Sequence, residues 1–233
     1  MNHDICRCIS LKADGYPADF TFYPNFFSHE EQRLLLSAAL HKLDMSENRK
    51  VRRRQRELLA SGTLKLLNSI EQVFLPDEYY TFEEGHYDNV IRRYREIHVS
   101  SWPDDQPELQ RLLQRLQELH PPVPTQTHIL HLASDGEIQP HVDNTEASGS
   151  WILGVSLGSP RGLRLENAED PSDTFEMILP SGSVYIQRDS TRYNYKHSIL
   201  LRGDVGLTRF NGGQRLSIMI RVRQNYLVHG ILG

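Results

Sequence analysis

The 233-residue sequence predicts an α+β protein, a double-sheet barrel or jelly roll with N-terminal helices packed on it. Three observations carry that reading. After Pro124, eight short β-rich segments alternate with Gly, Pro, Asp and Ser turns at regular spacing. Before Pro124, two stretches repeat leucine and alanine at helical spacing. The last barrel segment, Arg215-Leu216-Ser217-Ile218-Met219-Ile220-Arg221, alternates cleanly, so one face is aliphatic and the other carries both arginines.

Taken in order, residues 20–27 form an apolar lead-in to a helix start. Ser28 with Glu31 fits a capping box, and Leu34, Leu35, Ala38 and Ala39 follow at helical spacing to about Leu43. Residues 49–56 are densely basic. They read as a solvated loop or helix face in preference to a phosphate contact, because no stacking aromatics are interleaved with the charges. Pro107 opens a second helix with Leu109, Leu112, Leu113, Leu116 and Leu119 on one side, and His120-Pro121-Pro122 ends it. The strands are expected at 126–132, 138–143, 151–157, 162–166, 174–179, 183–187, 194–200 and 214–222. Residues 1–19 read as a flexible N-terminus and 20–233 as one domain, with 20–125 as helical support and 126–223 as the β core.

Composition narrows the classes. Hydrophobic residues at 38% and charged residues at 24% suit a soluble globular chain. A formal charge of −4 argues against a protein built wholly around a polyanion, though not against a local basic patch. Cys6 and Cys8 are the only cysteines, which excludes a disulfide framework and favours a reducing, intracellular setting. With His3 they could bind a metal, but an ordinary terminus is the preferred reading. No apolar run approaches the roughly 20 residues of a spanning helix. The first residues set Arg7 and Lys12 against Asp4, Asp14 and Asp19, which is no presequence. Nothing in the sequence calls for an obligate oligomer.

The chemistry starts at Gln139-Pro140-His141-Val142-Asp143. In an extended run His141 and Asp143 share one face, two ligands of the 2-His-1-carboxylate triad used by non-heme Fe(II) oxygenases. His197, in the seventh expected strand, can supply the third. On the last strand Leu216, Ile218, Ile220 and Val222 need a hydrophobic partner, most simply the helices. Arg215, Ser217, Met219 and Arg221 then point into the barrel, where unpaired charge is costly. Something anionic should meet the arginines, and a dicarboxylate fits. His86-Tyr87-Asp88 is a second His-x-Asp, but no arginine pair follows at a suitable distance.

Several stretches together resemble the AlkB-type Fe(II)/2-oxoglutarate-dependent dioxygenases, and in particular their mitochondrial branch. They are His128 to Ala133, Ile138 to Asp143, Gly154 to Pro160, Gly182 to Ile186, Arg192 to Leu200 and Arg215 to Ile218, with weaker likeness back to Phe26-Phe27-Ser28. The resemblance implies a double-stranded β-helix, iron on His141, Asp143 and His197, and 2-oxoglutarate chelating the metal. It implies that Arg215 pairs the distal carboxylate, assisted by Tyr185, with Arg221 near the metal-proximal end. With O2, such an enzyme converts 2-oxoglutarate to succinate and CO2 while it oxidises a C–H bond.

The resemblance also links the chain to mitochondria, programmed necrosis and fatty-acid metabolism. Two departures from the nucleic-acid-repairing relatives matter. Leu130-His131-Leu132 stands where they carry Asn-x-Tyr, and Ser217 and Met219 replace Asn and Thr on the last strand. Tyr79, Tyr80, Phe82 and Tyr87 are the available pieces of a stacking lid. A protein or other macromolecule is therefore the favoured substrate, with an RNA demethylase or a non-catalytic iron and 2-oxoglutarate-binding module as alternatives.

Overall fold

A computed structural model describes residues 15–61 and 69–223. The chain begins with β1 (Phe20–Tyr23), α1 (His29–Ser46) and α2 (Arg49–Ala60), then two 3₁₀ turns, Glu71–Val73 and Asp77–Tyr79. Next come β2 (Glu83–Gly85), β3 (Ile91–Val99), α3 (Pro107–Gln117), β4 (Thr125–His141) and β5 (Ser148–Gly158). Then follow β6 (Arg161–Asn167), β7 (Thr174–Leu179), β8 (Ser183–Arg188), the short α4 (Asp189–Tyr193) and β9 (Tyr195–Leu200). The hairpin β10 (Arg202–Val205) and β11 (Thr208–Asn211) precedes β12 (Arg215–Arg223).

Ten of the twelve strands form one curled antiparallel sheet, in the order β1-β8-β5-β12-β4-β9-β6-β7, with β3 on β4 and β2 on β3. The curl turns on β4. Its first half pairs with β12, from Thr125 opposite Val222 to Leu132 opposite Arg215. Its far end pairs with β9, where His141 lies opposite His197. One long strand thus belongs to both halves of the jelly roll and delivers its last residue to the mouth between them.

Two apolar clusters follow from strand alternation. Leu153, Val155 and Leu157 of β5 and Leu216, Ile218, Ile220 and Val222 of β12 face outward. They meet Leu35, Leu36, Ala39, Leu40 and Leu43 of α1 and Leu109, Leu112 and Leu116 of α3, as the aliphatic face of β12 required. Each such leucine contributes about 1.5–3 kcal/mol when fully buried. That exceeds the roughly 1 kcal/mol of a cap, so packing holds α1 and the Ser28–Glu31 capping box sets where it starts. The second cluster fills the barrel with Phe20, Leu130, Leu132, Leu163, Leu165, Tyr185 and Ile199.

Three expectations need correction. Segments 126–132 and 138–143 are one strand, because Ser134-Asp135-Gly136 continues extended instead of turning. Opposite it β3 bulges at Arg93, whose φ is +52°, and a Cβ on Gly136 would lie 2.6 Å from the Arg93 carbonyl oxygen. Asp143 lies just beyond the strand, not within it. The support for the β core is also not helical alone: β1, β2 and β3 all lie within residues 20–125, and the lead-in at 20–23 is an edge strand paired to β8. The expectations for His3, Cys6 and Cys8 and for most of the flexible N-terminus fall outside the described residues; Tyr16 and Asp19 are described, and Asp19 Oδ2 accepts from Ser190 Oγ at 2.5 Å.

Candidate metal centre

β4, the loop after it and β9 bring His141, Asp143 and His197 together. Their ligand atoms all lie within 4.8 Å of one another, and among the described residues this is the one group of three or more His, Cys, Asp or Glu so arranged. The carboxylate sits between the rings. Asp143 Oδ1 is 3.2 Å from His141 Nε2 and 3.8 Å from His197 Nε2. His141 Nδ1 lies 2.9 Å from the Gln139 carbonyl, an acceptor only, so that nitrogen carries a proton and Nε2 is the atom turned to Asp143. A neutral ring would set its Nε2 lone pair against the carboxylate, so the contact needs either a proton on Nε2 or a cation between the two.

Charge states agree with that need. Burial alone would raise the Asp143 pKa, but His141, Arg221 and His197 outweigh it and hold the carboxyl well below the usual range. Burial, with the nearby His141, pushes His197 down to about 3. The set at neutral pH is therefore an ionised carboxylate beside a neutral His197 imidazole, the donors that suit a divalent transition metal.

Arg215, Ser217, Met219 and Arg221 do point inward, and with Tyr185 they line the same cavity of about 70 Å³ as the three ligand residues. The two arginines meet different partners. Arg221 Nε donates to Asp143 Oδ2 at 2.9 Å, so the anion it needed is the chain's own carboxylate. Arg215, 1% exposed, donates from Nε to Ser156 Oγ at 3.0 Å and from Nη1 to Ser217 Oγ, while Nη2 finds no partner among the described residues. A fully buried guanidinium with an idle donor fits an incoming carboxylate. Tyr185 flanks it, its hydroxyl 3.7 Å from Met219 Sδ. Gly154 makes room for that ring, since a Cβ there would lie 2.3 Å from Tyr185 Cζ.

Other sequence features separate from the centre. His86 and Asp88 meet at 2.9 Å in a turn, partly solvated and without a third ligand among the described residues. The candidate lid is dispersed: Tyr80 and Phe82 pack on buried His131, Tyr79 lies under Arg54, and Tyr87 stands in solvent. The run 49–56 is the first two turns of α2, mostly exposed, with Val51 and Arg52 half-buried and Gln55 buried. Arg192, which the sequence reading did not single out, lies buried beside the Asp143 loop. Its place five residues before His197 was the available signal.

A sequence profile of the 2OG-Fe(II) oxygenase superfamily matches residues 19–221. The chain is 37% identical over 150 residues to the Mus musculus protein named alpha-ketoglutarate-dependent dioxygenase alkB homolog 7, mitochondrial. It is 36% identical over 147 residues to the Bos taurus protein of the same name. Each match takes in 60% of this chain and spans 65% of the relative's length. Among solved structures, a Pseudomonas putida prolyl-4-hydroxylase superposes with a TM-score of 0.50 at 12% identity, over 88% of this chain and 92% of that one, a likeness of fold.

Proposed function

The chain belongs to the 2OG-Fe(II) oxygenase superfamily, and on that premise we propose that it is an Fe(II)- and 2-oxoglutarate-dependent dioxygenase with His141, Asp143 and His197 as its iron ligands. The observation that carries this is the Asp143 carboxylate held between two imidazoles at one wall of a cavity whose other wall is Arg215. Iron bound there, with 2-oxoglutarate and O2, supplies oxidation of a substrate C–H bond coupled to release of succinate and CO2.

The chain's own residues do the rest. Gln139 fixes the His141 tautomer, and Arg221 orients Asp143 through its outer oxygen. Arg215 receives the distal carboxylate of 2-oxoglutarate on its idle Nη2, with Ser156 and Ser217 holding the guanidinium in place and Tyr185 closing that side. Leu130, Ile138, Ile199 and Met219 keep the remaining wall apolar and water scarce.

The substrate we favour is a protein or other macromolecule, because among the described residues no stacking lid is gathered over the cavity. The word mitochondrial in the names of both relatives supports that compartment. A second reading, RNA demethylation, is favoured by one feature, the row of exposed cations on α2. The test is succinate release from 2-oxoglutarate by anaerobically Fe(II)-loaded protein beside His141→Ala. Metal-dependent turnover lost in the variant is expected. A protein that binds neither iron nor 2-oxoglutarate would overturn the assignment.

A further inference from the structure

Arg192 occupies an unusual position. It lies in α4, five residues before His197, and is 2% exposed. Its Nη2 donates to Ser148 Oγ at 2.8 Å, to the Ser148 carbonyl at 3.3 Å and to the Asn144 carbonyl at 3.4 Å. Asn144 and Ser148 bracket most of the loop between β4 and β5, and Asp143 immediately precedes Asn144 in that loop. The loop is otherwise closed by local bonds, with Ser148 N and Oγ both donating to the Asn144 carbonyl.

We infer that Arg192 is a positioning residue that fastens the Asp143 loop to the segment leading into His197, and so fixes the spacing of two metal ligands. The inference rests on the iron assignment above. Fold stability is a poor alternative account of this side chain. Nε and Nη1 have no partner among the described residues, and a buried, half-satisfied guanidinium is commonly no better for stability than an apolar side chain of similar size. What the guanidinium does provide is a single nitrogen, Nη2, within reach of two carbonyls and a hydroxyl of one loop, contacts that a methionine cannot make. Its positive charge also attracts Asp143 across the loop. Groups that orient ligands from outside the metal typically contribute about 10–100-fold to metal affinity.

The experiment titrates Mn(II), which resists oxidation, into metal-free wild type, Arg192→Met, Arg192→Lys and Ser148→Ala. Binding is followed by electron paramagnetic resonance, and melting is recorded for each metal-free protein. The expected result is an Arg192→Met protein that melts near wild type yet binds Mn(II) about 10–100-fold more weakly. Arg192→Lys and Ser148→Ala should fall between, and 2-oxoglutarate affinity at saturating Mn(II) should be unchanged. If Arg192→Met does not fold, the two milder variants carry the test. Variants that bind Mn(II) as wild type does would overturn the positioning role while leaving the metal assignment intact. A wild type that binds no Mn(II) would overturn both.

Discussion

Arg221 Nε donates to Asp143 Oδ2 at 2.9 Å, leaving Oδ1 to face the two imidazoles. The arginine therefore divides the carboxylate into an anchored oxygen and one turned to the imidazoles. Replacing Arg221 with methionine frees the carboxylate to rotate and leaves a largely buried charge without its partner. Mn(II) affinity should fall by about ten- to a hundredfold. Isothermal titration checks it, and an unchanged affinity would mean that the strand and loop alone set the Asp143 orientation.

Buried His131 makes stability depend on pH away from the metal. It accepts from Arg95 Nε at 3.0 Å and meets Gln214 Oε1 at 2.9 Å, under Phe74, Tyr80 and Phe82. Burial, then the Arg95 charge, holds its pKa well below 6.5. A histidine whose folded pKa is depressed stays neutral in the native state and takes up a proton on unfolding at acid pH. Its contribution is therefore complete above the unfolded value of about 6.5 and is lost as pH falls below it. The melting temperature should drop between pH 7.5 and 5.5, and His131→Gln should flatten that slope. Equal slopes in the two proteins would refute the account.

Helices α1 and α3 and the pairing of His141 with Asp143 were legible because their signals are local or strictly periodic. Ser28 and Glu31 announce α1, and the leucines of α3 repeat at helical spacing. The arginine-bearing face of β12 follows from alternation alone. What was missed depends on contacts distant in sequence. β3 reads as charged because Arg95, a buried arginine, is paid for by Asp44 of α1 and Glu47 just after it. Ser134-Asp135-Gly136 looks like a turn, yet its glycine serves the close approach of the Arg93 carbonyl. Arg192 carries no periodic signature, and only the loop it grips gives it meaning.

Gly154 tests the fit around Tyr185. The two residues face each other across β5 and β8, and a Cβ at position 154 would intrude on the phenol ring. The ring lies stacked on Phe20 with centroids 6.0 Å apart, so it cannot retreat without disturbing β1. Gly154→Ala should cost about 1–3 kcal/mol of stability and weaken 2-oxoglutarate binding by displacing Tyr185. Chemical denaturation and a 2-oxoglutarate titration measure the two effects. A stable variant with native affinity would show that the ring has room to move.

The cations of α2 separate the two substrate readings. Arg53 pairs with Glu57 in solvent, and Arg54 is occupied with the Glu78 carbonyl and the Tyr79 ring. Arg49 and Arg52 instead border a surface groove with Leu40, Met45 and Leu59. Reversing Arg49, Arg52 and Arg53 to glutamate leaves the metal centre untouched, so basal succinate release should remain within about twofold of wild type. If RNA is the substrate, its affinity should collapse and the salt dependence of binding should flatten, because each lost phosphate contact removes a released counterion. A charge-reversed protein that binds RNA as well as wild type would remove α2 from any nucleic-acid reading and leave the macromolecular substrate to be sought around the cavity mouth.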